Sequence, residues 1–436
     1  MFLANSAVTL ICRVTTMGVG LISGIFVARY LHPEGKGILA TLGVLTGTAI
    51  QLSHLGLPSA NVHMAAKNRA DAPALLANSL WWGLSVGGLI ALGVFAAWLA
   101  APDLLDGVNG PILAVALLAV PASLAALLLS NTAIGLELFF FYNILDVAVA
   151  VVGVFLNVGL LVLASAGAYE LVWLATIGAW VTLAVLVYYL GKRHGLSIYP
   201  DFGLLRSSLT YGFHLWLTML MSFLVLRIDT LVVNSVCGAE ETGIYSVSVL
   251  AIDVLQLIPA AVGTVLFPRL SALDPEARNV AFVRVVQTFW PLLLAVAIVC
   301  GVVFAPFVRL LYGEPFVPAI GAFYILLPGT FFLSIQILVV NSLAARGDVR
   351  ALPWLWAVTT VVNLGLTLLL VPKWGIAGAA WASTIAYTLI FVLMIGWHRH
   401  RWPQVSLSDM LVPRWSSFAF LWDETRRTFA ALKPGR

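Results

Sequence analysis

Long apolar runs dominate the chain, and short polar turns separate them. Read at the length a bilayer demands, about 20 residues per helix, the pattern predicts twelve membrane helices. They fall at 5–29, 38–63, 75–100, 111–133, 140–163, 170–190, 209–235, 243–267, 286–311, 318–343, 351–371 and 376–397. The connections are short, and none has room for a soluble domain. Pro58, Pro121, Pro259, Pro291 and Pro328 fall inside or at the ends of these helices. Each removes a backbone hydrogen bond and permits a kink. The first run continues too far and lacks a basic start, so no cleavable signal is expected.

The pattern repeats. The stretch from Tyr30 through His32, Pro33, Glu34 and Gly37 to Ile38 lines up with Val236 through Gly238, Ala239, Glu240 and Gly243 to Ile244, an offset of 206. More than a hundred residues on, Asn157, Gly159 and Leu160 line up with Asn363, Gly365 and Leu366 at the same offset. Two matches at one offset point to a duplication. Six helices per half is an even number, so both halves enter the membrane from the same side. The expected architecture is therefore all-α and polytopic, with two six-helix lobes related by a pseudo-two-fold axis along the membrane normal. The expected divisions are 1–190, a linker at 191–208, 209–397, and a tail at 398–436.

A few charges interrupt the apolar runs. A charge at membrane depth costs a few kcal/mol at least, so it is normally paired or faces a wet cavity. Arg227 lies nine residues before the turn that begins at Val236, and Asp253 lies ten after Gly243. On antiparallel helices the two reach nearly the same depth and are expected to interact. Asp229, two residues from Arg227, points away from it and needs a partner elsewhere. Asn234 and Gln256 are candidates for that. The alternative role for Asp229 and Asp253 is a proton or sodium site. A carboxylate taken out of water holds its proton more readily, and a nearby arginine opposes this. Arg13 lies in the first helix, with Gln51 and His54 of the second near the same depth. Arginine suits a diphosphate because its planar fork donates two hydrogen bonds at once. A snorkelling Arg13 and a packing His54 are the plainer readings. Arg227 maps by the offset to Leu21, so the two arginines are not repeat equivalents, and they differ by roughly 12 Å in depth. Asn131, Gln336 and Asn341 are expected to bond between helices, and Asp146 to sit near an interface.

Composition agrees with a membrane protein: of 436 residues, 61% are hydrophobic and 10% charged, against about 25% charged in soluble domains. The net charge of +4 matters less than its distribution. Loops after even-numbered helices hold Lys67, Arg69, Lys192, Arg193, Arg206, Arg269, Arg278, Arg284, Arg346 and Arg350, and the tail adds more. Loops after odd-numbered helices hold only Arg29, Lys36, Arg309 and Lys373. Both termini are therefore expected in the cytoplasm. Cys12, Cys237 and Cys300 show no disulfide or metal spacing, and Cys12 and Cys300 read as core. The tail, with Trp402, Phe418, Phe420, Trp422, Arg426 and Arg427, suits a segment lying on the anionic inner leaflet, where it would touch membrane lipids; a disordered basic tail that only fixes topology is the alternative.

Several stretches resemble the polysaccharide exporters of the multidrug/oligosaccharidyl-lipid/polysaccharide superfamily, particularly O-antigen-type flippases. Ala28 to Gly37 is similar to the family's first outer loop, with His32 where a glycine is usual. Arg227 and Asp229 followed by Gly243 and Tyr245 resemble the start of its second half. Phe267 to Ser271, Tyr312 to Ala319, Leu327 to Gly329, and Asn363 with Pro372, Gly375 and Gly378 resemble its later helices. The resemblance implies a twelve-helix flippase of lipid-linked saccharides in the bacterial inner membrane. Arg13, Gln51, His54 and Arg227 are then candidates for substrate binding, and Asp229 and Asp253 for coupling to Na+ or H+. No catalytic residue, metal site, other cofactor or nucleic-acid partner is expected. Glycosyltransferase or polymerase machinery is an expected associate. A cation-coupled drug exporter of the same superfamily is the alternative. A membrane polymerase or ligase would need catalytic residues in a sizeable outer loop, and no such loop is present. Nothing resembles a nucleotide-binding loop.

Overall fold

The computed structural model describes residues 2–404, apart from residue 198. The expected tail segment beyond Gln404 lies outside the described residues. Every regular element described is helical: α1 (Phe2–Ser53), α2 (Leu57–Lys67), α3 (Ala72–Ala100), α4 (Gly110–Gly135), α5 (Phe139–Leu163), α6 (Ala168–His194), α7 (Phe202–Ser271), α8 (Pro275–Phe307), α9 (Pro318–Ala345) and α10 (Leu352–Arg401). Short 3₁₀ turns and one π-helical turn, Val308–Tyr312, connect them. Nine stretches among the described residues are long and apolar enough to cross a membrane. The chain is a multi-pass membrane protein.

Three elements are too long to be single spans. α1 has 52 residues, α7 has 70 and α10 has 50. Straight, they would run about 75–105 Å at about 1.5 Å per residue, against a hydrocarbon core of about 30 Å. Each folds back at one non-helical residue: His32 (φ 56°, ψ −177°), Gly238 (φ 91°, ψ 175°) and Gly375 (φ 55°, ψ −136°). In α7 the reversal is proved by contact, because Arg227 and Asp253 meet at 2.8 Å. In α10 a Cβ on Gly378 would overlap the Leu370 carbonyl, eight residues back. The expected turns at 30–37, 236–242 and 372–375 are therefore tighter than the sequence suggests, since helical bonding resumes within a residue or two.

Other boundaries move as well. The expected helix 38–63 breaks at 54–56, where Leu55 (φ 42°) and Gly56 (φ 86°) leave helical space. Pro58, in the first turn of α2, has no N–H to bond upstream, so the break falls just before it. The ninth expected helix starts earlier, at Pro275, because Asp274 accepts the Ala277 N–H as an N-cap at 2.9 Å. α7 begins at Phe202, inside the expected linker. Cys12 and Cys300 are only half-buried.

The two most buried spans are α4 and α9, with 72% and 56% of their most apolar stretches inside the protein. They are repeat partners: Leu113, Leu117 and Val120 correspond at the offset of 206 to Ala319, Phe323 and Leu326, and all six are buried. Polar groups within the spans behave differently from expectation. Asn131 and Asn341 each donate to the carbonyl four residues back in their own helix, at 2.8 Å, the local bond that competes with interhelical pairing. Gln336 does reach across, to Met394 Sδ at 2.9 Å. The interhelical role falls to Asn61, which donates to Ser79 Oγ, Thr132 Oγ1 and the Leu128 carbonyl.

The two halves meet along a seam. The second arm of α1 and the break after it run beside α7, from Gly37 against the start of its second arm to Gly56 against its first arm. A Cβ on Gly37 would overlap Ala239 and Gly243, and one on Gly243 would overlap Pro33 and Gly37. Pro33 and Ala239 are equivalents at the offset of 206, as are Gly37 and Gly243. The contact is thus reciprocal, as across a two-fold axis. At the other end Gly56 packs on Gly212.

His32 and Gly238 are also repeat equivalents. The His32 angles lie in a region that is essentially glycine's own and costs a side chain about 1–3 kcal/mol. His32→Gly should raise stability by about 1 kcal/mol, after glycine's extra chain entropy of about 0.5–1 kcal/mol. Denaturation in detergent micelles measures this, and a destabilised variant would mean that the imidazole makes compensating contacts. A topology map checks the spans directly. Reporter fusions at Asp103 and Glu240 should report one side, outside, and fusions at Arg193 and Arg278 the other. Agreement between Asp103 and Arg193 would refute the span count.

Candidate functional site

The charges singled out in the sequence come together where the two arms of α7 face the second arm of α1. One nitrogen of Arg227, Nη2, donates to both carboxylate oxygens of Asp253, at 2.9 and 2.8 Å. The pair is partly open, with side-chain exposures of 28% and 37%. It lines a cavity of about 270 Å³ with Thr230 and Ser246 of α7 and Gly43 of α1. Phe223 forms part of the wall and packs against Gly47. Asp253 lies at the site because the chain reverses at Gly238, which sets the two arms antiparallel.

Asp229 turns away from this cavity and is 1% exposed. Its carboxylate accepts three short hydrogen bonds, from Tyr245 Oη at 2.6 Å, Ser383 Oγ at 2.9 Å and the Thr230 N–H at 2.8 Å. Buried carboxylates require such partners. Sequence reasoning pointed to Asn234 and Gln256 and missed Tyr245 and Ser383. Asn234 instead donates to the Asp106 carbonyl at 3.2 Å. Tyr245 could have been found, since it lies seven residues after Gly238 and Asp229 nine before it. Ser383 comes from the second arm of α10, and nothing local marks it.

Arg13 is exposed, with no hydrogen bond or ion pair among the described residues. Its neighbours Ile11 and Val14 are 65% and 55% exposed. Three residues on, Thr16 donates to Asp146 of α5 at 3.3 Å, and Asp146 is itself exposed. Further along the same arm, Leu21 lines a cavity with Leu250 and Tyr312 of the second half, and a Cβ on Gly24 would touch both of those residues. The first arm of α1 is therefore gripped near its turn, while Ile11, Arg13, Val14 and Thr15 are exposed. His54 is 3% exposed and both its ring nitrogens are used. Nδ1 accepts the Gly56 N–H at 3.1 Å, and Nε2 pairs with Gln51 Oε1 at 2.6 Å. The Gln51 carbonyl accepts Trp216 Nε1 of α7 at 2.7 Å. These groups hold the break between α1 and α2, and no hydrogen bond joins them to Arg13.

The halves are also joined at the turn end by contacts the sequence did not reveal. Arg29 donates through Nε to the Leu311 carbonyl at 2.7 Å and through Nη2 to the Leu310 carbonyl. Both carbonyls belong to the π-helical turn, whose wider i→i+5 bonding alters the carbonyl ladder. Lys36 Nζ sits 5.7 Å from the centre of the Tyr312 ring. Asp106, between α3 and α4, accepts the Ala239 N–H at 2.8 Å. Among the described residues no group of three or more His, Cys, Asp or Glu is placed to hold a metal ion. The arrangement provides a polar recess between two halves, closed at the turn end, with a separate buried carboxylate behind it.

Comparison with known proteins follows the same lines. Residues 2–274 match the family described as polysaccharide biosynthesis protein. A Shigella flexneri protein, provisionally described as an O-antigen transporter, is 25% identical over 186 residues. That alignment covers 42% of this chain and only 44% of the relative. Among solved structures, an inward-facing multidrug resistance MATE family transporter of the MOP superfamily aligns with a TM-score of 0.65 at 17% identity, covering 89% of this chain and 94% of that one. A MOP superfamily transporter from Pyrococcus furiosus aligns with a TM-score of 0.66 at 16% identity, covering 91% and 94%. The fold is that of these transporters.

Proposed function

The chain belongs to the polysaccharide biosynthesis protein family, and from that premise we propose that it is a transporter which flips a polyprenyl-diphosphate-linked oligosaccharide across the bacterial inner membrane. The observation that carries this reading is the polar recess between the repeat-related arms of α1 and α7. The saccharide and its phosphates cross within the cleft while the lipid chain stays in the bilayer. Counting each folded-back helix as two spans raises nine to twelve, which favours two six-helix lobes, and the reciprocal contact of Gly37 and Gly243 supports a two-fold relation between them. Two lobes that meet along a seam with a polar recess between them suit alternating access. The basic loops favour cytoplasmic termini. Enzymes that build or polymerise the glycan are the natural suppliers and consumers of such a substrate.

In this reading Arg13, exposed and without a partner among the described residues, meets the diphosphate, and Asp229 or Asp253 couples flipping to a sodium or proton gradient. Arg13→Ala should abolish flipping with little loss of protein from the membrane. Arg13→Lys should restore only part, because a point charge does not replace the two-pronged fork. Flipping of the lipid-linked oligosaccharide in proteoliposomes measures both, alongside restoration of surface polysaccharide in a strain lacking the protein. Full activity in Arg13→Ala would remove that residue from the site. The likeness in fold to multidrug transporters favours a second reading, export of small cationic compounds. Gradient-driven efflux of such compounds, with no flipping of the glycolipid, would decide for it.

A further inference from the structure

We infer that the recess around Arg227 and Asp253 is a subsite for the hydroxyl groups of a single sugar unit, and that the diphosphate of the substrate is held elsewhere. The inference rests on the flippase reading and divides the substrate between two places.

Charge decides the first half of the argument. An anion needs a cation with charge to spare. Arg227 is already neutralised, because both oxygens of Asp253 lie within 2.9 Å of its Nη2. A phosphate drawn to Arg227 would face the Asp253 carboxylate at close range, and like charges at such separations disfavour binding. Displacing Asp253 would orphan a partly buried carboxylate. Arg13 has no such partner among the described residues.

Hydrogen-bonding capacity decides the second half. The pair spends one nitrogen of the guanidinium, which leaves the donors on Nε and Nη1 without a partner in the pair. The carboxylate has about four lone-pair sites and uses two. Donors and acceptors therefore stand side by side with no net charge. Thr230 and Ser246 add hydroxyls to the lining. A sugar ring offers the same mixture, with each hydroxyl donating one bond and accepting others. Phe223 and Val44 supply an apolar wall, which suits the C–H face of a pyranose. At about 270 Å³ the recess holds roughly nine waters' share of liquid volume, at about 30 Å³ each. That is room for one monosaccharide and not for an oligosaccharide.

Gly43 makes the inference testable. A Cβ there meets nothing within 4 Å, so the side chain of Gly43→Leu starts into the open space of the recess. Two probes separate the headgroup from the glycan: the lipid-linked oligosaccharide purified from the protein's own host, and bare polyprenyl diphosphate. Affinity of each for the purified protein is read from the ligand-induced shift in melting temperature. Wild type should bind the glycosylated lipid more tightly. Gly43→Leu should weaken that lipid by about tenfold or more while leaving bare diphosphate binding unchanged, so that the advantage of the sugar disappears. Ser246→Ala, a smaller change, should lose part of the same advantage and keeps the test alive if the leucine variant folds poorly. Equal weakening of both lipids in Gly43→Leu would place the diphosphate in the recess and overturn the proposal. Unchanged binding of both in Gly43→Leu would show that no part of the substrate enters it. Wild type that binds neither lipid would refute the flippase reading itself, and the subsite with it.

Discussion

Removing either partner of the Arg227–Asp253 pair should lower stability, and removing both should cost less than the two losses added. Breaking a buried ion pair costs about 3–5 kcal/mol because the remaining charge is uncompensated, whereas exposed pairs contribute about 0–1 kcal/mol. With exposures of 28% and 37%, this pair lies between those limits. About 2 kcal/mol is expected for Arg227→Ala or for Asp253→Ala. The coupling energy from a double-mutant cycle should be about 1 kcal/mol or more. Unfolding midpoints in detergent for the four proteins measure it. The pair joins the two arms of α7 at the recess. Strict additivity would mean that water or lipid, and not the partner, solvates each charge.

Asp229→Asn should uncouple transport from its driving gradient. The carboxylate sits behind the recess, and two of its three hydrogen bonds, from Tyr245 and Ser383, tie the first arm of α7 to the second arm and to α10. The nearest cation, Arg227, is already engaged by Asp253. Taking up a proton or a sodium ion at Asp229 would change which of its donors it can hold, and so the packing of α10 on α7. An asparagine retains one acceptor oxygen and turns an N–H₂ toward a group that also donates. A loss of about 1–3 kcal/mol in stability is expected, short of unfolding. Tyr245→Phe, which removes one donor and keeps the carboxylate, is the control. Flipping is measured in proteoliposomes with the gradient imposed and then collapsed. Gradient dependence that survives in Asp229→Asn would leave Asp229 a structural residue and make Asp253 the next to test.

The spans were readable because lipid imposes length and apolarity on the sequence itself. The 206-residue offset was readable because the turns at His32 and Gly238 kept the same residues after them, Glu34 and Glu240, Gly37 and Gly243, and Ile38 and Ile244. The meeting of Arg227 and Asp253 followed from their depths about one tight turn. What the sequence hid depends on helices far apart in the chain. Ser383 reaches Asp229 across 154 residues, and Arg29 reaches the π-helical turn across 282. No spacing rule covers such distances. Packing was the plainer reading of His54, but nothing in its neighbourhood announces that its imidazole will accept the Gly56 N–H.

The contact of Gly37 with Ala239, and of Gly243 with Pro33, has a consequence for how such a chain diverges. A surface that meets its own copy across an axis is the kind a homodimer makes. There a single substitution alters both sides of the contact at once. Fusion into one chain releases that constraint everywhere except on the axis, where each residue still presses on its counterpart. Away from it the copies drift apart. At the offset of 206, Arg227, Asp229 and Asp253 have Leu21, Ser23 and Gly47 as counterparts. One copy carries the charges and the other leaves room beside them, so Gly47 yields space to Phe223 where its counterpart holds a carboxylate.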